Sequence, residues 1–356
     1  MGFALVCPHV FGRLGRVALC FAYLANTGFT PLSAAFVENF VGLFSGVVPT
    51  VQAQPRFEPQ AQFGPGSGPL PGDRQGKWIR IEGGNVINED TVRTARETLS
   101  HSAGLPEWTN SPPFEHDVLT FARVIFQNDP YARSGRGFGP RLGWWVDYPD
   151  ADLNLSWRLQ QLTSIRTDPD GRVIKLTDHD LFNYPLLYME HAGYMQLTDE
   201  EVAILHKYLQ SGGALFVNDF WGTLEWDGFA SQIQRVLPNA SWRELETNHP
   251  LFSCIFDLRG PMHRLRVPTM QFWNEEFEPN DPASPPHRVF RGEGSDRMTV
   301  RAILDKTGRI IILAIHNSDV SDGWEREAEN ALYFRKYSEP IAYPLAINII
   351  FYLMTH

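Results

Sequence analysis

The chain has 356 residues, of which 43% are hydrophobic and 13% aromatic, and its formal charge is -10. That length and apolar content are enough for one large core or two smaller ones. The acidic balance argues against a nucleic-acid partner, because phosphate binding needs a basic surface.

At the N-terminus, Arg13 and Arg16 precede the apolar run Val17 to Ala25, and a second run, Phe40 to Val48, is followed by Val51-Gln52-Ala53. Small residues at alternate positions suit cleavage after Ala53, and neither run reaches the ~20 residues that span a bilayer. The expectation is a signal peptide over residues 1–53, export to the periplasm or beyond, and a mature chain with no stable transmembrane span. Its removal would take away Cys7 and Cys20 and leave Cys254, which reads as a small buried hydrophobe rather than half of a disulfide. Residues 54–76 are rich in Pro, Gly and Gln and read as a flexible linker. Residues 77–117 form an N-terminal extension in which Asp90 to Ser102 is predicted helical, with Gly104 as its stop.

From residue 118 the pattern is regular. Strands are predicted over Leu119–Phe126, Val173–Thr177, Tyr184–Met189 and Ala214–Val217, with helical spacing over Ala151–Leu162 and Phe229–Val236. Thr198 opens a further helix with a capping box, since Glu201 sits three residues on, and Gly212-Gly213 stops it. Short, continuously apolar strands between helices imply βαβ units, a mostly parallel sheet buried on both faces, and a three-layer α/β sandwich over residues 118–356. Met298–Leu304 and Arg309–Ile315 flank Asp305-Lys306-Thr307-Gly308, a hairpin signal. Pro344–Met354 is predicted to be a closing core helix.

Ligands of open α/β sheets bind outside the carboxyl ends of the strands. Those ends carry Glu190-His191, Asn218-Asp219 and His316-Asn317-Ser318-Asp319, followed by Asp322-Gly323-Trp324-Glu325. Asp147, Tyr148 and Asp152 border the first helix. Together with Glu190, Asn218, Asp219, His316, Asn317, Asp319, Asp322, Trp324 and Glu325 they make the candidate pocket, with Asp219 and His316 expected in one cavity. Singly, Asp and Asn after a strand are turn formers or helix caps. Jointly, they suit a divalent cation, general acid–base work, or a hydroxyl-rich small molecule stacked on Trp221, Trp226 or Trp324. The other reading is a non-catalytic module whose same residues brace loops against a partner protein of the cell envelope. Arg133, Arg136 and Arg141 lie among glycines and are candidates for cradling an anion. No G-x-S-x-G, G-x-x-x-x-G-K-[ST] or H-E-x-x-H motif is present.

Several ordered blocks resemble the bacterial family called domain of unknown function 4159, from about Phe114 to His356. They are Trp145-Val-Asp-Tyr-Pro-Asp-Ala-Asp-Leu-Asn154, Leu186-Leu-Tyr-Met189, Gly212-Gly-Ala-Leu-Phe-Val-Asn-Asp-Phe220, Asn248-His-Pro-Leu-Phe252, His316-Asn-Ser-Asp-Val-Ser-Asp-Gly-Trp-Glu325 and Tyr352-Leu-Met-Thr-His356. The resemblance implies a class I glutamine-amidotransferase-like fold, which is a flavodoxin-like three-layer sandwich. It implies no activity. Amidotransferases carry a cysteine nucleophile in a strand-to-helix elbow, whereas Val217 here leads into Asn218-Asp219, so glutaminase activity is not expected.

Overall fold

The computed structural model describes residues 77–81, 84–100, 108–110, 117–129, 143–273, 275–276, 278, 291–327 and 329–356. The expected signal peptide, the Pro/Gly-rich linker, Gly104, and the loop with Arg133, Arg136 and Arg141 lie outside the described residues.

Two short strands, β1 (Trp78–Arg80) and β2 (Val86–Asn88), pair antiparallel at the start. Next come β3 (Ala122–Ile125), β4 (Gln127–Asn128), α1 (Asp150–Leu162), β5 (Arg172–Lys175), β6 (Leu186–Glu190) and β7 (Met195–Gln196). They are followed by α2 (Asp199–Gln210), β8 (Ala214–Asn218), α3 (Gly222–Val236) and β9 (Arg243–Glu244). The hairpin strands β10 (Thr299–Leu304) and β11 (Ile310–His316), the short α4 (Asp322–Glu325) and the final α5 (Tyr343–Thr355), which a π-helical stretch over Phe334–Ala342 leads into, come last.

Seven strands form one sheet in the order β5-β3-β6-β8-β11-β10-β9. The four strands expected to be parallel are so, and β11 joins them beside β8. β10 and β9 continue the sheet antiparallel at one edge. Alternate side chains enter two separate apolar clusters, as a pleated sheet covered on both faces requires. Leu187, Met189, Leu215, Val217, Ile312 and Ala314 join one cluster. Leu186, Tyr188, Ala214, Phe216, Leu313 and Ile315 join the other. Thr198 caps α2 with the expected reciprocal bonds to Glu201. Most of α5 is buried in the second cluster, and among the described residues no helix is long and apolar enough to cross a membrane.

One expected element is absent. In the described part of Asp90–Ser102 the helical structure is a single 3-10 turn, Ala95–Glu97. The segment instead runs beside the free edge of β5. There the Arg93 carbonyl accepts the Val173 N–H at 2.8 Å, and the Ala95 N–H donates to the Asp170 carbonyl at 2.9 Å. An edge strand offers unpaired backbone groups, and satisfying them outweighs a weak local helix preference.

Candidate functional site

Strands β6, β8 and β11 are neighbours and end at one edge of the sheet. At the end of each, the next residue turns into left-handed backbone: His191 (φ 52°), Asp219 (φ 50°) and Asn317 (φ 64°). Asp147, just before α1, does the same at φ 60°. For a residue with a Cβ this conformation costs about 1–2 kcal/mol, so the surroundings must hold it. Asn317 shows how. Its N–H donates to the Phe220 carbonyl at 3.0 Å and its Oδ1 accepts the Gly222 N–H at 2.8 Å. Its Nδ2 donates to the carbonyls of Gly294 at 2.9 Å and Arg297 at 2.8 Å.

Asp219 is fully engaged. Oδ2 lies 3.2 Å from His191 Nδ1, while Oδ1 accepts Trp221 Nε1 at 2.5 Å and Arg291 Nη1 at 3.3 Å. Burial alone would raise its pKa, but Arg291 and His191 outweigh burial and hold it at about 2. His191 is raised in turn: burial opposes its charge, and the bond to Asp219 overcomes that. Asp219 does not cap α3, whose N-cap position is Trp221 with no side-chain bond.

On the face of Leu186, Tyr188, Ala214 and Phe216 the next alternate positions are Glu190 and Asn218. Here the acids gather. Asp147, Asp319 and Asp322 are all buried, and each offers a carboxylate oxygen within 4.8 Å of the other two. Asp319 accepts Thr269 Oγ1 at 2.7 Å and the Asp322 N–H at 3.1 Å. Asp322 accepts the Met270 N–H at 2.5 Å and Arg326 Nε at 3.2 Å. Asp147 is different: its Oδ2 is buried and has no hydrogen-bond partner. Burial, then the charges of Glu325, Asp319, Asp322 and Glu190, push Asp147 well above the usual carboxylate range. Asp319 is raised likewise by burial, then by Asp219 and Asp322. Burial carries Glu190 up to about 8, although Tyr188 and Ser321 both donate to it. The nearby cations are Arg291, 3.9 Å from Asp319, Arg123, 3.9 Å from Glu190, and Arg326, which also pairs with Glu325 at 2.5 Å. Burial is the largest cause of each raised value, and neighbouring carboxylates add to it.

Other expected pocket residues are held by protein partners or lie on other faces. Asn218 donates to Ser321 Oγ at 2.8 Å and accepts the Val320 N–H at 3.3 Å, tying β8 to the loop after β11. Asp152 forms a fully buried two-pronged pair with Arg123, whose Nη2 is 2.6 Å from Oδ2. Tyr148 donates to the Thr94 carbonyl at 2.9 Å and packs on Trp144. Trp324 lies in the apolar interior against Tyr188 and Phe216. His316 follows Ile312 and Ala314 on the opposite face, where it meets Phe220 and Trp226. It lines a cleft of about 310 Å³ together with Asn317, and Asp219 is not among the lining residues. The two residues expected in one cavity thus share a sheet edge but not that cleft.

Four participants were not singled out from the sequence as pocket residues: Arg123, His191, Arg291 and Arg326. His191 carried a signal, since histidine is among the types enriched in left-handed backbone. Arg123 is a lone charge in an apolar strand and had to meet a buried acid. Arg291 and Arg326 stand in stretches with no strand or long-helix pattern.

No curated protein matches the chain significantly. A family model described as domain of unknown function (DUF4159) matches residues 130–354, more than half of the chain, and spans the Asp147 block, all three strand ends and the acidic cluster. The match begins after the Phe114 boundary drawn from the motifs. The chain belongs to the DUF4159 family.

Proposed function

We propose that the protein binds a divalent cation through Asp147, Asp319 and Asp322, at the sheet edge where α/β folds take their ligands. The carrying observation is the unpartnered, buried Asp147 Oδ2 within 4.8 Å of ligand oxygens from two other buried aspartates. Three like charges cannot share so small a volume unless protons or a cation neutralise them. All-oxygen carboxylate ligands suit Mg²⁺, Ca²⁺ or Mn²⁺ better than zinc. A cation held there would polarise an oxygen of a bound molecule or of water, which is the hydrolase-like reading of the fold. The hydrogen bonds that Asn218, Asn317 and Asp219 make to neighbouring loops support a bracing role for those three. The test is calorimetry of chelator-stripped protein with each ion. Asp147→Asn keeps the backbone preference of the site and should abolish the heat of binding. Equal binding by the variant, or none by the wild type, would overturn the proposal.

Two further readings belong with it. The separate apolar clusters on alternate sides of the strands support a flavodoxin-like three-layer sandwich of the amidotransferase-like class. Cys254 is no substitute nucleophile: its thiol contacts the Leu251 and Asn348 carbonyls, and burial pushes its pKa up. We also infer that residues 1–53 direct export and are removed. The mature N-terminus, read by mass spectrometry in the native host, tests this, and a mature protein that keeps Val17 to Ala25 would refute it.

A further inference from the structure

We propose that the cleft on the other face, between the β10–β11 hairpin and the first turn of α3, binds a small hydroxylated oxyanion, a sugar-sized carboxylate or phosphate. The site is independent of the cation reading, because none of the three aspartates lines it.

The hairpin builds the cleft wall. Thr299 lies directly opposite His316 and Arg301 opposite Ala314, so Thr299, Arg301 and His316 stand on one face of the ladder. Trp226, from α3, closes the cleft and lies 3.9 Å from the Arg301 guanidinium, which it holds in place. The volume, about 310 Å³, is at the small end of ligand pockets.

Three buried polar atoms in this one wall have no hydrogen-bond partner: Thr299 Oγ1, Arg301 Nη1 and His316 Nδ1. Buried polar atoms are normally satisfied, and three orphans side by side mark a place where something else supplies the bonds. Their chemistry says what. His316 Nε2 lies 2.9 Å from the Gly222 carbonyl, which can only accept, so Nε2 carries the proton and Nδ1 presents a lone pair. Burial lowers the imidazole pKa to about 4, so the ring is neutral at pH 7 and needs a donor. Arg301 Nη1 needs an acceptor, and Thr299 Oγ1 serves as either. Arg297 and Asp296 also line the cleft, adding a second guanidinium and an acceptor for further hydroxyls. An oxyanion beside hydroxyl groups meets all of these needs, whereas a neutral apolar molecule meets none.

The experiment is a calorimetric titration of the purified protein with glucose 6-phosphate, glucuronate, glucose and glucosamine as probes, repeated on Arg301→Gln and Thr299→Val. At least one of the two oxyanions should bind, more tightly than glucose or glucosamine, and comparing the two separates phosphate from carboxylate. Arg301→Gln should weaken that binding about ten-fold or more, the loss of a charge-assisted hydrogen bond. Thr299→Val should do two opposite things. It should raise the melting temperature of the free protein, because an unsatisfied hydroxyl is replaced by a methyl of the same shape, and it should weaken the oxyanion. A wild type that binds neither oxyanion at millimolar concentration would overturn the proposal and leave the orphan atoms to buried water. Glucose binding as tightly as the oxyanions would overturn it too, as would full affinity in both variants. If Arg301→Gln does not fold, the paired outcomes of Thr299→Val decide alone.

Discussion

Asp219 Oδ2 and His191 Nδ1 lie 3.2 Å apart, and the two residues occupy left-handed backbone at the ends of adjacent parallel strands. Each left-handed turn swings a side chain toward the other, so the hydrogen bond between them helps to hold the strained backbone. Both groups are buried, with Asp219 held at about 2 and His191 raised.

Breaking this pair on one side should therefore be costly. Asp219→Asn keeps the backbone preference but leaves His191 and Arg291 facing a neutral amide. The expected loss is about 3–5 kcal/mol in urea unfolding at pH 7. The double change with His191→Asn should cost less than the sum of the single changes. Strict additivity would show that the two groups are not coupled.

The Arg123–Asp152 pair makes a sharper case. Arg123→Ala should destabilise by about 3–5 kcal/mol, because it leaves Asp152 charged or forces it to take up a proton in the interior. Arg123→Met with Asp152→Leu should recover part of that loss, but not all. Arg123 Nη1 also donates to the carbonyls of Trp144 and Val146 at 2.9 Å each, and these lose their donor in the double variant. Chemical denaturation of the wild type, Arg123→Met, Asp152→Leu and the double variant gives the cycle.

The acidic cluster predicts an unusual pH dependence. Glu190 titrates at about 8 in the folded chain against 4.5 as its reference value, so the folded state binds the proton more tightly. Its contribution to stability is complete below about 4.5 and is lost as pH rises through about 8. Asp147 and Asp319 are raised in the same direction. In chelator, stability should fall over this window by about 1.4 kcal/mol per pH unit for each group that titrates. Saturating divalent cation should flatten or reverse the slope, since its ligands must be deprotonated. Melting curves from pH 5 to 8 with and without Mn²⁺ are the measurement, and identical slopes would count against the cation site.

Helix α3 approaches the turn after β6 closely enough to exclude one methyl group. A Cβ on Gly228 would stand 2.3 Å from the Gly193 carbonyl oxygen, and one on Gly193 would stand 2.4 Å from Glu225 Cβ. Gly228→Ala should raise local helix propensity yet destabilise the protein by about 1–3 kcal/mol, because packing outweighs the entropy gain. A rise in melting temperature would show that the helix shifts freely.

The parallel strands were legible because a sheet buried on both faces demands unbroken apolar runs such as Leu186–Met189 and Ala214–Val217. The edge rule then brought Glu190, Asp219, His316 and Asn317 to one side of the sheet. It did not tell which face each would serve. The period of two ends where the backbone turns left-handed, and nothing in Asn218-Asp219 announces that turn beyond the residue types. The same rule passed over Arg123, because its partner Asp152 lies on a helix whose packing angle no spacing encodes. Asp90–Ser102 failed for a related reason: its backbone bonds go to Asp170 and Val173, far away in sequence.

Asn317 has a consequence for exchange with solvent. One side chain and one backbone amide join the loop after β11 to the loop after β8, to the start of α3 and to the Gly294–Arg297 turn. These segments cannot separate one at a time, because each is fastened to the same residue. Their amide hydrogens should therefore exchange as a single unit, with the Gly222 N–H as slow as the strands themselves. Asn317→Gly would preserve the backbone turn and its amide bond to Phe220, remove the three side-chain bonds, and let the start of α3 and the Gly294–Arg297 turn open independently.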